Sequence, residues 1–315
     1  MKKRVLVLYY SQTGQLTEVV KSFTTPLKDS DTIEVVYQNI KPKNPFSFPW
    51  RFIEFFDAFP ESVYMDGCEI EDLDIDKNEQ FDLVILAYTV WFLSPSIPIA
   101  GFLNSPYSKL LKDRPIITLI ACRNMWLMAQ EKVKKRLKEL DATLIDNVVL
   151  TDRGSSLATF ITTPRWMLTG KKDSFWGLPQ AGVDPKEIKR ASRFGKALVD
   201  ALKSNLEKEK KPLLQGLEAV KVDEKLIASE KIGHRSFWIW GGLIRKIGKR
   251  GDKKRVSVLI FYIIFLVTLI LTVVPITMAI KPIIRKLNHK KVQEEKEYFE
   301  MPSGSSSDRL KEYNE

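Results

Sequence analysis

The sequence predicts an α/β fold: an open, doubly wound sheet of five parallel strands, followed by a C-terminal helix that spans a membrane or anchors in one. Three features carry this prediction: five short apolar runs separated by helical patterns, cap and turn residues at the junctions, and 25 consecutive uncharged residues from Val256 to Ile280. The 315 residues, 44% hydrophobic and 28% charged, suit one folded core with an appendage and are too apolar for a disordered chain. Two cysteines and two histidines exclude a disulfide framework and are too few for an ordinary zinc site, so no metal is expected.

In chain order, Arg4 to Tyr10 is the first strand, bounded by Ser11, Gln12, Thr13 and Gly14, after which Leu16, Val19, Val20 and Phe23 recur at helical spacing. Thr32 to Tyr37, Phe81 to Tyr88, Pro115 to Ala121 and Ala142 to Leu150 supply the other strands. Several are continuous apolar runs of the kind buried on both faces of a parallel sheet. Ala129, Val133, Leu137 and Leu140 form an apolar stripe opposite a Lys-rich face. Asp184, Pro185 and Glu187 stand as N-cap, first-turn proline and capping acid before a stripe of Ile188, Ala191, Gly195, Leu198 and Leu202. These elements make a domain of residues 1–205 with two aromatic-rich insertions, 41–65 and 151–183. Residues 206–233 read as a linker, and 281–315 as a charged, disordered tail.

The net charge of +11 is local. Residues 231–291 hold fourteen Lys and Arg against Asp252 alone, leaving −2 for the rest of the chain, so no nucleic-acid partner is expected. As a helix, 256–280 would reach about 37 Å, against about 30 Å of bilayer hydrocarbon, and Pro275 would kink it or make it re-entrant. Before it, 234–255 reads as a basic amphipathic juxtamembrane segment with Phe237, Trp238, Ile239 and Trp240 at headgroup level. Met1 to Tyr10 lacks the length and cleavage site of a secretory signal, which places the domain in the cytoplasm, tethered by its C-terminal end.

Ligands of doubly wound sheets sit beyond the carboxyl ends of the strands. Ser11-Gln12-Thr13-Gly14-Gln15 offers hydroxyls and backbone N–H groups at a helix N-terminus. Alone it reads equally as a phosphate cradle or a capped turn, and its place after the first strand favours the cradle. Without a Walker lysine it suits a monophosphate. Thr89, Val90, Trp91 and Phe92, in a loop held irregular by Pro95 and Pro98, present an apolar wall to a ring system. Cys122, Arg123, Asn124 and Trp126 add donors for ring carbonyls. The second insertion, with Trp166 and Lys171 among its aromatic and basic residues, is expected to cover a substrate. Arg153, Arg165 and Lys172 stand beside them for enolate oxygens. The first insertion is either a satellite core or an acyl-chain site. Tyr88, Asp152 or Tyr10 could serve as base.

Residues 4 to about 205 resemble a flavodoxin-like flavoprotein, in which the first of these loops, with Ser11, Thr13 and Gly14 in place, holds the phosphate of FMN and the next two hold the isoalloxazine. Leu16 stands where a last hydroxyl is usual, with Thr17 one residue on. The combination of Tyr10 to Leu16, Trp91 to Pro98, Arg123 to Trp126 and Trp166 to Asp173 is similar to the bacterial dialkylresorcinol condensing enzymes, also called dialkylresorcinol aromatases.

That resemblance implies the biosynthesis of dialkylresorcinols, aromatic lipids that supply part of flexirubin-type pigments. Condensing acyl thioesters normally needs a nucleophilic Cys supported by His, and His234 and His289 flank the membrane segment instead. A flavin suits the next step, oxidation of a dialkylcyclohexane-1,3-dione to the resorcinol. The expected partners are therefore a hydrophobic small-molecule substrate, the membrane, and a separate ketosynthase with its acyl carrier protein. The alternatives are a membrane-tethered NAD(P)H:quinone-type reductase and an FMN-free scaffold for a ketosynthase.

Overall fold

The computed structural model describes residues 2–152 and 154–313, and no side chain between 274 and 287. Arg153 and the side chain of Pro275 lie outside the described residues. Five strands form one sheet: β1 (Lys3–Tyr9), β2 (Ile33–Asn39), β3 (Leu83–Tyr88), β4 (Pro115–Cys122) and β5 (Thr143–Thr151). Their order is 2-1-3-4-5 with every pair parallel, the flavodoxin-like doubly wound topology. β3 is buried along its whole length, as its uninterrupted apolar run requires of a strand covered on both faces. Tyr9 is level with Asn39 and Ala87, Tyr88 with Ile120, and Cys122 with Thr151, so the carboxyl ends finish along one edge.

The helices are α1 (Gln15–Lys28), α2 (Phe52–Asp57), α3 (Phe59–Tyr64), α4 (Ile97–Asn104), α5 (Leu127–Glu139), α6 (Ser156–Thr169), α7 (Pro185–Arg190), α8 (Ser192–Lys203), α9 (Glu224–Ile247), α10 (Lys253–Leu287), α11 (His289–Glu300) and α12 (Leu310–Tyr313). Asp184 does cap α7, accepting the Lys186 N–H at 2.6 Å. The helix read as continuous from there breaks at Ala191, which ends α7 and starts α8.

Two expectations about the C-terminal third are corrected. The stretch read as a linker begins α9 and, before it, buries Leu213, Leu214, Leu217 and Val220 in the main core. The stretch read as a disordered tail contains α11 and also folds onto the domain. The reason lies in β5, an edge strand whose outward backbone groups need partners. Val149 N–H donates to the Ala219 carbonyl at 2.9 Å and Asn147 N–H to Ser303 Oγ at 2.7 Å. The buried Asp146 carboxylate accepts the Leu213 N–H and the Ser303 hydroxyl, each at 2.7 Å. Phe299 is buried in the main core, 4% exposed, with Lys231 Nζ 5.5 Å from its ring centroid.

The first insertion is a satellite core. Phe46, Trp50, Ala58 and Ile97 form one cluster, and Phe59 and Val63 another with Ile244, Leu259 and Tyr262 from α9 and α10. Phe59 stacks on Tyr262 with centroids 4.8 Å apart. Arg255 is fully buried beside it, paired with Asp57 at 3.1 Å and Glu61 at 2.6 Å. The aromatic insertion is thus the platform on which the C-terminal helices are seated. α10 contains one stretch, Lys253–Val273, long and apolar enough to cross a membrane by length and composition.

Candidate functional site

The loop from Ser11 to Gly14 leaves β1 and opens α1. Ser11 Oγ accepts the Thr17 N–H at 3.3 Å and Thr13 Oγ1 the Gln15 N–H at 3.4 Å, both long contacts that leave the hydroxyls within reach of a better acceptor. The first N–H groups of a helix have no partner within it, and here they face an accessible loop. Gly14 has φ +82° and nothing within 4 Å of the position its Cβ would take, so the turn is left-handed and the space in front of it open. Gln12 ties the loop to the first insertion, donating to the Ser47 carbonyl at 2.8 Å and accepting Trp50 Nε1–H at 3.1 Å. Gln15 is buried, and its Oε1 accepts the Val183 N–H at 3.1 Å. Leu16 is not a ligand contact: it is 1% exposed and packs in the sheet's core.

Beyond β3 the chain makes a two-residue hairpin pairing Val90 with Pro95 and Trp91 with Ser94. Its turn residues, Phe92 and Leu93, have φ of +49° and +57°, unfavourable for bulky side chains and held by packing. Phe92 lies against Phe55 and Phe59 with centroids at 4.9 and 5.4 Å. Trp91, partly exposed, meets Phe46, Trp50 and Tyr10 nearly edge-on at 5.1, 5.3 and 5.9 Å. Beyond β4, Arg123 turns to the second insertion. Its Nε donates to Thr159 Oγ1 at 2.8 Å, Nη2 to the Ser156 carbonyl at 3.1 Å, and the guanidinium covers the Phe160 ring at 4.1 Å. Burial lowers its pKa to about 10.

Three polar atoms on these two loops, Thr89 Oγ1, Ser96 Oγ and Asn124 Oδ1, are buried with no hydrogen-bond partner in the protein. A ligand could complete such atoms, although others of the same kind, Thr162 Oγ1, Asn147 Nδ2 and Tyr262 Oη among them, lie outside these loops. Both loops are thus short of polar partners beside an open phosphate-type loop. Two shallow depressions of about 520 and 370 Å³ lie instead at the amino ends of the strands, around Asp141 and Thr143 and around Gln80 and Arg114. That is the pole opposite the carboxyl ends, where doubly wound folds hold their ligands.

Several expected site residues have other roles. Tyr88 is no base: it is fully buried, donates to Gln130 Oε1, and burial drives its pKa well above the usual tyrosine value. Gln130 in turn donates to Thr118 Oγ1 at 2.9 Å, so Tyr88 belongs to a core polar chain. The Asp152 carboxylate is occupied with backbone, accepting Gly154 N–H at 2.7 Å and Gly182 N–H at 2.6 Å, and so latches the two ends of the second insertion. Tyr10 is buried and its pKa also raised by burial. Trp126 is 2% exposed in the core under α5. Trp166 is buried edge-on to Phe48 with Lys172 Nζ 5.2 Å from its ring, and Lys171 is exposed. Arg165 is engaged with Asp173 and the Phe175 ring. Among the described residues no group of His, Cys, Asp and Glu could hold a metal.

Two residues had no signal in the sequence. Lys132, on what reads as the solvated face of α5, is half-buried and donates to Ser94 Oγ at 2.7 Å and the Val63 carbonyl at 2.6 Å, gripping the hairpin; desolvation lowers its pKa to about 8. Glu230, within the supposed linker, is fully buried and accepts the Met128 N–H at 2.8 Å, capping α5 just behind the loop after β4.

No family model matches the chain, and no curated protein matches it. Among solved structures it is similar to an FMN complex of a flavoprotein from Lactobacillus acidophilus, at 19% identity over 47% of this chain and 93% of that one, with a TM-score of 0.38. It is also similar to a flavodoxin from the domain Archaea, at 8% identity over 64% and 99%, TM-score 0.36, and to a flavone reductase, at 12% over 64% and 63%, TM-score 0.32.

Proposed function

We propose that this protein is an FMN-dependent oxidoreductase that takes an apolar ring compound at a membrane surface, and that its reaction is the oxidation of a dialkylcyclohexane-1,3-dione to a dialkylresorcinol. The observation that carries the reading is the pairing of an open Ser11–Gly14 loop at the start of α1 with unpartnered buried polar atoms on Thr89, Ser96 and Asn124. Ser11, Thr13 and the first N–H groups of α1 would hold the phosphate; Thr89 and Asn124 would meet the polar edge of the ring, with Trp91 beside it. Bound FMN supplies an acceptor for two electrons as hydride. Arg123 keeps a positive charge behind the ring loops, where negative charge on substrate oxygens would be stabilised. The dione loses one hydride and one proton, and the new ring double bond with enolisation gives the resorcinol.

Condensation is a poor fit to these side chains. Burial pushes the Cys68 thiol up to about 11 and the Cys122 thiol higher, the reverse of what an acyl-transfer nucleophile needs. A separate ketosynthase with its acyl carrier protein would supply the dione, and the apolar helices would keep the domain at a cytoplasmic membrane face where a substrate with two alkyl chains partitions.

Detergent-purified protein should be yellow or become so with FMN, and should convert the synthetic dione to the resorcinol under air, followed by mass spectrometry. Thr13→Glu, placing a carboxylate against the phosphate, should release the FMN. A preparation that is colourless and cannot be reconstituted refutes the cofactor. If the dione returns unchanged while NAD(P)H reduces the flavin and quinones reoxidise it, the quinone reductase reading takes its place.

A further inference from the structure

We infer that α10 does not carry the chain across the bilayer: the protein is monotopic, with α9 and α10 embedded from one side and the segment after α10 returning to the same domain. The inference rests on membrane association of these helices and is independent of the reaction proposed above.

Both flanks of the apolar stretch are fastened to one folded body. At its start, Arg255 is 0% exposed and paired with Asp57 and Glu61 of the first insertion, while Leu259 and Tyr262 are buried with Phe59 and Val63. After its end, Glu295 pairs with Lys231 of α9 at 2.8 Å, and Tyr298 donates to Glu131 of α5 at 2.7 Å. Phe299 enters the main core. Ser303 then donates to Asp146 and accepts Asn147 N–H on β5, and Arg309 Nη1 donates to the Leu213 and Gln215 carbonyls at 3.1 Å. Asp146 and Asn147 are both fully buried, so these contacts complete the edge of the central sheet. A crossing would place residues 289–313 about 30 Å of hydrocarbon away from that edge. It would also leave the buried Asn147 N–H without Ser303 and take one of its donors from the Asp146 carboxylate, which keeps the Leu213 N–H. A spanning α10 and this domain fold exclude each other.

The outward surface shows what covers it. Trp238 on α9 is 56% exposed, and on α10 Phe261 is 62% and Leu271 70% exposed, with Ile239, Ile264 and Phe265 also turned outward. That is an apolar surface no aqueous monomer leaves bare. Lys246, Lys249, Lys253 and Lys254 are exposed around the turn between the two helices, beside Arg245, paired with Asp66, and Arg250, over the Phe46 ring. Aromatic and aliphatic side chains beside a basic cluster fit one leaflet of a bilayer with anionic headgroups, entered to interfacial depth.

The test uses the full chain with one epitope tag at each terminus, expressed in a bacterium and probed with an impermeant protease in spheroplasts and in inverted membrane vesicles. The expected result is that the protein sediments with membranes, needs detergent for release, and presents both tags on the same face. Tags on opposite faces overturn the inference and leave membrane association standing. Recovery of the full chain in the soluble fraction without detergent overturns membrane association and the inference with it.

Discussion

Glu230 shows how one buried carboxyl can set a pH response. Burial raises its pKa to about 8, opposed by the Met128 and Leu127 N–H groups, and Cys122 and Tyr88 lie close enough to feel its charge. The folded state therefore holds a proton that the unfolded state has released above about pH 4.3. With more protons bound in the native form, stability falls as pH rises from there through about 8. Asp146, raised by burial to about 6, adds a smaller decline that ends earlier. Glu230→Gln keeps an acceptor for the Met128 N–H and cannot ionise, so it should flatten the fall in Tm between pH 5 and 8 and gain about 4 kcal/mol at pH 8 relative to wild type. An unchanged slope would mean that Glu230 is ionised in the fold. A second test concerns Gly182, at φ +92°, where a Cβ would come within 2.5 Å of Gln15 Nε2. Gly182→Ala should push Gln15 off the Val183 N–H and disorder the start of α1, lowering affinity for FMN, read by flavin fluorescence, more than it lowers Tm.

Among the elements, a continuous chain of contacts runs from the C-terminal helices to the hairpin after β3. Arg255 holds Asp57 and Glu61, the intervening Phe59 touches Phe92, and Phe92 forms the strained turn that sets Trp91. Arg255→Met leaves two carboxylates buried without their cation, at a cost of about 3–5 kcal/mol; combining it with Asp57→Asn and Glu61→Gln should restore most of that loss. Denaturant midpoints for the single and triple variants check the prediction, and equal loss in both would show that packing rather than charge matters there. The sequence made the elements of the sheet legible because a central parallel strand such as Leu83–Tyr88 must be apolar on both faces, and Asp184-Pro185 announces a helix start by local chemistry. It also marked the loop after β1. It could not show that Tyr88 and Trp126 point inward, because a strand end and a helix start look alike whether their side chains face a ligand or the core. Nor could it show Glu230 capping α5 or Ser303 completing β5, since these contacts join residues 102 and 157 positions apart.

For the molecule as a whole, the sheet is completed by the far end of the chain, and this changes what truncation does. Ending the chain after Lys231 would uncover Phe59, Val63, Asp57 and Glu61, remove Phe299 from the main core and leave the edge of β5 without Ser303, so the product should aggregate rather than appear as a soluble flavodoxin-like domain. A milder perturbation tests the same idea without loss of fold. Phe299→Ala removes a buried ring, a change that costs about 3–5 kcal/mol where the cavity does not collapse. Ser303→Ala removes the partner of Asn147 N–H and one donor to Asp146, at about 1–3 kcal/mol. The Phe299 change should loosen the seating of the terminal segment and the Ser303 change should remove its bond to β5, so native-state hydrogen exchange should accelerate at Asn147 and Val149 while the amides of β1 and β3 keep wild-type protection. Acceleration spread evenly over all five strands would mean that the terminal segment stabilises the domain only globally. No change at either amide would show that it is not seated on β5 in solution.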